Sequence, residues 1–295
     1  MHSTLSIITI CYNDLLGLKI TVPTVLSQTY KNFQWIVIDG ASKDGSKEYL
    51  DQIANYIATN TDFSELIFTY ISESDTGIYN AMNKGVSFAT GEYCLFLNAG
   101  DIFCSSKSLD RAYKRRWKAD IISCDEFVLS TKKYWDYIQA PRIVTFHRIL
   151  KGYLPHQTTF IRKNLLLMYP YREDYRIVAD WAFWWDTLVA NNYTYQHMAF
   201  PLAAFDCTGI SSTNHEKNQA ERLRYLLQYI PNAQVLEKIA DECLLNKTIE
   251  GDFLFNSERA FLKAVILFVR RIFVHFIGPI HRLYMNLRWR DNNLG

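Results

Sequence analysis

The sequence predicts an α/β fold, a Rossmann-like nucleotide-binding sheet followed by a C-terminal helical, amphipathic extension. Three observations predict it. Short apolar, β-branched runs alternate with helix-patterned segments through the first hundred residues. Polar residues cluster directly after one run after another, and in an open parallel sheet those positions share one edge, the usual ligand crevice. The composition, 49% hydrophobic and 21% charged over 295 residues, suits a globular chain with a sizeable core.

The elements follow in order. Residues 6–11 (SIITIC) are a buried parallel strand, and residues 16–28 are helix-like. Residues 35–39 (WIVID) form a second strand ending in a carboxylate, residues 40–46 (GASKDGS) a turn, and residues 47–58 a helix. Residues 66–72 are a third strand, and residues 76–90 a helix that starts near Gly77. Residues 93–97 (YCLFL) are a fourth strand, which runs into Asn98-Ala99-Gly100-Asp101. From residue 102 to 205 the pattern is less regular. Residues 119–124 predict a strand, residues 155–161 (PHQTTFI) follow a loop, and residues 177–189 predict a helix carrying Asp180, Asp186 and three Trp. Residues 216–246 are helical with mixed polarity.

Several function classes are excluded at this level. Lys+Arg 32 against Asp+Glu 30 leaves +2, so the chain is neither a strongly basic nucleic-acid binder nor an acidic disordered segment. The six cysteines include no Cys-x-x-Cys pair, so neither a zinc site nor a redox motif is expected, and the thiols read as structural ones in a reducing compartment. Residues 1–13 lack a basic n-region and read as the start of the first strand rather than a leader. The aromatic content, 15%, supplies surfaces for stacking on sugars or bases but serves cores equally well.

The last forty residues differ. Residues 256–295 hold seven basic and two acidic residues, hence +5, and their apolar positions recur at steps of three and four. Basic residues interrupt every stretch of spanning length, so a helix lying in a membrane interface is expected rather than a spanning one. The alternative is a helix packed on the protein or on a second copy of the chain. Gly278-Pro279 should kink it.

The runs SIITICYN, WIVIDGASKDGS, YISESDTGIYNAMNKG and GEYCLFLNAGD, dense and in order, resemble the inverting family-2 glycosyltransferases of the GT-A fold. The resemblance covers roughly residues 4–210 and is strongest to bacterial enzymes of capsule, colanic-acid and O-antigen assembly. It implies a GT-A domain over residues 1–210, with a nucleotide-sugar half (about 1–101) and an acceptor half (102–210). A helical region (211–255) and a basic, membrane-associating tail (256–295) would follow. The implied place is the inner, cytoplasmic face of the cell membrane.

The resemblance also implies roles. Cys11, Tyr12, Asn13, Asp39 and Asp75 would line a nucleotide, carried as a UDP-sugar, with Asn80, Asn83 and Lys84 against it or its phosphates. Asp39 is otherwise a turn-capping carboxylate, Asp75 a helix N-cap, and Lys84 a residue of a solvated face. Asn98, Ala99, Gly100 and Asp101 occupy the family's Asp-x-Asp metal motif, and only Asp101 keeps a carboxylate for Mg²⁺ or Mn²⁺. Asp101 is otherwise structural.

Asp180 matches the position of the base that takes the acceptor hydroxyl's proton; its other reading is an N-cap or a partner of Arg176. Glu173, Asp174 and Asp186 are rival carboxylates, with Asp186 facing another way on a helix. His156 and Gln157 are candidates for the donor phosphates or the acceptor, and His156 is otherwise a hydrogen-bonded structural residue. Trp181 and Trp185 would stack on a sugar or fill the core. Ser211, in Gly209-Ile210-Ser211-Ser212, would sit in a loop over the diphosphate, with His215 nearby.

The expected activity is transfer of a sugar to a hydroxyl of a surface polysaccharide or lipid-linked glycan, metal-assisted and inverting. One rival is a catalytically weak homologue that binds nucleotide sugars or scaffolds a membrane assembly, motivated by the altered metal motif. A nucleotidyltransferase or dinucleotide-dependent oxidoreductase is disfavoured because no glycine-rich phosphate loop follows the first strand.

Overall fold

The computed structural model describes residues 5–129, 135–151, 154–206 and 215–229, all within the first of two units of the chain, Met1–Leu245. Strand β1 (Leu5–Cys11), helix α1 (Leu15–Leu26), β2 (Gln34–Asp39), α2 (Ser46–Thr59), β3 (Ile67–Ser72), α3 (Ile78–Phe88) and β4 (Tyr93–Phe96) follow the expected alternation. Then come β5 (Ile102–Phe103), α4 (Ser108–Tyr113), β6 (Ile121–Leu129), β7 (Trp135–Ile138), α5 (Phe146–Lys151), β8 (Thr159–Arg162) and α6 (Lys163–Met168). Helix α7 (Ala179–Trp184), β9 (Tyr195–Asp206) and α8 (His215–Leu226) complete the described elements.

The strand order is β3-β2-β1-β4-β8-β6-β9-β5, with β7 paired to β6 at the side. β1 runs parallel to β2 and β4, and β2 parallel to β3. The carboxyl ends of the first four strands therefore share one edge, as the clustering of polar residues predicts. β8 pairs antiparallel with both β4 and β6, joining the first half of the sheet to the second.

Both faces of the sheet are covered, which explains why its strands are unbroken apolar runs. On β1, Ile8 and Ile10 pack one way with Tyr79, Met82 and Val86 of α3. Ile7 and Cys11 pack the other way with Leu18 and Val22 of α1. Thr9, fully buried between them, donates to the Leu97 carbonyl (2.7 Å) and accepts from the Trp35 indole (3.1 Å), so its hydroxyl is satisfied inside the core. Cys11, Cys94 and Cys124 are buried free thiols, and burial pushes the Cys11 pKa up to about 11 and that of Cys94 to about 12.

Three features depart from the sequence expectation. The twelve-residue strand β9 has no counterpart in it, because Pro201 interrupts the strand pattern. Pro201 is tolerated where the β6–β9 ladder shifts register beside Asp125. The helix expected over residues 177–189 is a six-residue α7 followed by a π-helical turn, Trp185–Ala190. Of the helix expected over residues 216–246, α8 forms the first part, and residues 230–246 lie outside the described residues. No helix among the described residues is long and apolar enough to cross a membrane, and the tail 256–295 lies outside them.

Candidate active site

One end of the sheet's carboxyl edge is built by turns after β1, β2 and β3. Gly40 follows β2 and bonds the Cys11 carbonyl through its N–H (2.9 Å). A Cβ on Gly40 would meet Asp75 Oδ2 at 2.6 Å and Tyr12 Cδ2 at 3.0 Å, so glycine is what lets Tyr12 and Asp75 converge there. Tyr12 is 68% exposed, a free aromatic face beside that carboxylate. Asp75 also accepts from the Gly77 N–H (2.9 Å), which closes a turn ahead of α3; the N-cap of that helix is Gly77 and not Asp75, as the alternative reading had it.

Asp39 is fully buried and accepts from Ser72 Oγ (2.6 Å), Ser42 Oγ and the Ser42 N–H (3.2 Å). Its carboxylate thus fixes the turn, the structural alternative read from the sequence. Asn13, at φ 49°, accepts from the Lys43 N–H (2.8 Å) and holds the same turn. Cys11 contributes its backbone, since its thiol packs against Ser46 in the core.

The turn from Asn98 to Asp101 is self-bonded. Asp101 Oδ2 accepts from the Asn98 N–H (3.0 Å), and the Asp101 N–H donates to the Asn98 carbonyl (3.0 Å). Thr21 of α1 pins it, donating to the Asp101 carbonyl (2.7 Å) and accepting from the Gly100 N–H (2.9 Å). Gly100 takes φ +94°, and a Cβ there would touch nothing within 4 Å, so the turn opens onto free space. Burial pushes the Asp101 carboxyl up to about 7, against the opposing charge of His156 and the Asn98 amide.

Asp180 lies in the first turn of α7. Its Oδ1 accepts from the Tyr79 hydroxyl (3.0 Å) and the Trp181 N–H (2.8 Å), and its Oδ2 faces His156 Nδ1 at 3.5 Å. The far ring nitrogen of His156 meets Asn98 Nδ2 at 3.1 Å. Asn98, His156 and Asp180 thus form one chain from the edge of β4 to the start of α7. Burial works against both charged forms, but each is favoured overall. The His156 pKa is raised by Asp180, with Asp101 and Glu126 adding, and the Asp180 carboxyl is held below the usual range by His156, Trp181 and Tyr79. With Nδ1–H directed at Asp180, the neutral ring accepts from Asn98 and leaves Asn98 Oδ1 buried without a partner. A charged ring donates from both nitrogens, which the reversed amide would satisfy.

Other expected residues sit elsewhere. Asn80 donates to Glu173 (2.9 Å), Asn83 exchanges bonds with Tyr171 and Glu173, and Lys84 pairs with Glu73 (2.9 Å). These three fasten α3 to neighbouring segments, and Glu173 is thereby committed. Trp181 is 1% exposed and donates its indole N–H to the Ile149 carbonyl (2.6 Å), so it packs in the core and offers no face to a sugar. Trp185 is buried as well. Gln157 is buried and donates to Glu126 (3.2 Å). Asp186 binds Tyr225 and Tyr229, away from Asp180, as its spacing predicts. Ser211 and its loop lie outside the described residues, as does the His215 side chain. Sequence reasoning missed Thr21, Tyr79 and Glu126, whose partners are 31 to 101 residues away and leave no local signal.

A divalent cation was tested against these residues. Among the described residues no three His, Cys, Asp or Glu side chains converge. The Asn98 oxygen is buried against the protein, and Gly100 brings no side chain. What remains is one carboxylate, Asp101, beside open space. That donor set does not make a closed protein cage. It does fit a hard cation such as Mg²⁺ or Mn²⁺ completed by water and substrate oxygens, the usual Mg²⁺ arrangement.

Comparison with known proteins follows the same lines. The description "Glycosyl transferase family 2" matches residues 6–170. A PGL/p-HBAD biosynthesis glycosyltransferase of Mycobacterium tuberculosis is 32% identical over 183 residues, covering 60% of this chain and 67% of that one. The structure of S. aureus TarS 1-349 in complex with UDP aligns with a TM-score of 0.60 at 18% identity, over 82% of this chain and 70% of that one. The mannosyltransferase PcManGT from Pyrobaculum calidifontis, in complex with GDP-Man and Mn²⁺, aligns with a TM-score of 0.58 at 15% identity, over 90% and 81%. These likenesses show the GT-A fold.

Proposed function

The chain belongs to glycosyl transferase family 2, and on that premise we propose that it moves a sugar from a UDP-linked donor to a hydroxyl of a surface or lipid-linked glycan, inverting the anomeric centre. The observation that carries the reading is the chain of Asn98, His156 and Asp180. It places a carboxylate held in its ionised form next to the edge where a donor diphosphate would lie.

Tyr12, with Asp75 beside Gly40, holds the nucleoside, Tyr12 by stacking. The backbone of Cys11, Asn13 and Asp39 sets the turn beneath it. The turn from Asn98 to Asp101 faces the diphosphate, and Asp101 would hold Mg²⁺ or Mn²⁺ with the donor's own oxygens. When bound, that cation offsets the negative charge that develops on the departing diphosphate.

Asp180 accepts the acceptor hydroxyl's proton as that oxygen attacks the anomeric carbon from the side opposite the leaving group. Its depressed pKa keeps it ionised at neutral pH. Its buried contacts with Tyr79 and His156 hold its orientation. Residues 102–206 supply the acceptor side, and the basic tail at 256–295 holds the protein to an anionic membrane surface where a lipid-linked acceptor resides.

The test is nucleotide release by the purified protein, screened over UDP-, GDP- and dTDP-sugars with Mn²⁺, Mg²⁺ or EDTA. Turnover of one UDP-sugar, lost in EDTA and reduced at least 100-fold in Asp180→Asn, supports the reading. An Asp180→Asn variant that keeps its turnover removes the base assignment. Sedimentation with anionic but not neutral vesicles tests the tail.

A further inference from the structure

Helix α8 grips α7 at several points. Glu221, a buried carboxylate, accepts from the backbone N–H groups of three consecutive residues: Arg176 (3.0 Å), Ile177 (2.9 Å) and Val178 (3.3 Å). Next to it, the Arg222 guanidinium lies 5.0 Å over the ring of Trp181. One turn on, the Tyr225 hydroxyl donates to the Ala182 carbonyl (3.3 Å). These contacts enclose Asp180, which lies between residues 178 and 181.

The local sequence does not supply this support. The residue at the head of α7 is Val178, which has no capping side chain, and valine is among the poorest capping residues. The unpaired N–H groups at a helix start attract the nearest carboxylate. In α7 Asp180 already takes the Trp181 N–H (2.8 Å) of the first turn while it faces His156, so the N–H groups of residues 176–178, just ahead of the helix, fall to Glu221.

We propose that Glu221 is a positioning residue for the reaction: by holding the N–H groups of residues 176–178 it fixes the backbone that leads into α7 and so keeps the Asp180 carboxylate turned toward His156. Glu221 does not touch substrate. It acts through the backbone that carries the base. The inference rests on the assignment of Asp180 made above.

The experiment measures nucleotide release, with the UDP-, GDP- or dTDP-sugar probe that turns over in the donor screen, for Glu221→Ala alone and in the Asp180→Asn background. Glu221→Ala is expected to lower kcat at least tenfold with donor KM within twofold. In the Asp180→Asn background it is expected to change the residual rate less than twofold. Glu221→Gln, which keeps an acceptor oxygen in place, is expected to recover part of the rate. Equal fold losses in both backgrounds mean that Glu221 acts only through general stability, and the proposal is overturned. If Asp180→Asn keeps its turnover, the base assignment fails instead, so the two failures are distinguishable. Hydrogen exchange serves where Glu221→Ala does not fold. The amides of Ile177 and Val178 should lose protection relative to those of α7 in Glu221→Leu, which offers no acceptor, and unchanged protection overturns the proposal.

Discussion

The Tyr79 hydroxyl reaches across 101 residues of sequence to Asp180 Oδ1 (3.0 Å) while also meeting the Ile177 carbonyl (2.7 Å). Helix α3 thus reaches, from its first turn, the candidate base at the start of α7. Because the hydroxyl stabilises the ionised carboxylate, Tyr79→Phe should raise the Asp180 pKa. The acid limb of the kcat–pH profile is expected to move to higher pH, with about 1 kcal/mol lost in folding stability. An acid limb that stays in place separates Tyr79 from the base.

His156→Gln tests the charged pair through stability. The ring's pKa is raised in the fold, so its contribution is whole below the unfolded value and fades as pH climbs through the raised one. The Asp180 pKa is lowered, so its contribution is whole above the unfolded value and fades as pH falls through the lowered one. Denaturant unfolding of wild type and variant should therefore differ most between about pH 4 and 6.5, the ordinary pKa values of the two groups. A gap of constant size from pH 4 to 9 would show that no ion pair forms.

Two glycines separate the site from the scaffold. A methyl at Gly40 meets only the ends of Asp75 and Tyr12, so Gly40→Ala should raise the donor KM about tenfold, roughly 1.4 kcal/mol, with little change in folding. A methyl at Gly91 meets the backbone of Leu5 and Ser6 at 2.5 to 2.9 Å. Gly91→Ala should cost about 1–3 kcal/mol of stability and leave KM alone in the folded fraction. Thermal melts and initial rates read the two effects apart.

A cation held by one carboxylate needs its substrate. Mn²⁺ alone is expected to shift Tm little, UDP alone more, and the two together by more than their sum. A full shift with Mn²⁺ alone would point to a protein-only site and refute the single-carboxylate reading.

The first hundred residues are legible because β1, β2 and β4 are buried along their whole length and α2 and α3 each show a helical period, while β3, at the sheet edge, is marked by its β-branched and aromatic residues. The loops after β1, β2 and β4 could be aligned on one edge without any contact information. The acceptor half was harder to read. β9 is broken by Pro201, and α7 gives way to a π-helical turn. The resemblance points to Asp180 but not to its contacts. Tyr79 and His156 come to it from two separate elements, Glu221 of a third holds the backbone just ahead of it, and nothing in the local pattern of any of them records the meeting. Asn80, Asn83 and Lys84, which the resemblance sets against the nucleotide or its phosphates, bond Glu173, Tyr171 and Glu73, contacts that no local pattern announces.

The strand order places four-residue β8 alone between β4 and β6, and the turn that enters it carries His156 and Gln157. This matters for anyone recombining halves of related transferases to change what they glycosylate. A crossover after β4 would carry His156 away with the acceptor side and leave Asn98 behind, so the graft would join parts whose shared hydrogen bond had never been selected together. Chimeras of this fold therefore have to match residues 98 and 156 as a pair before any acceptor preference can be read from them.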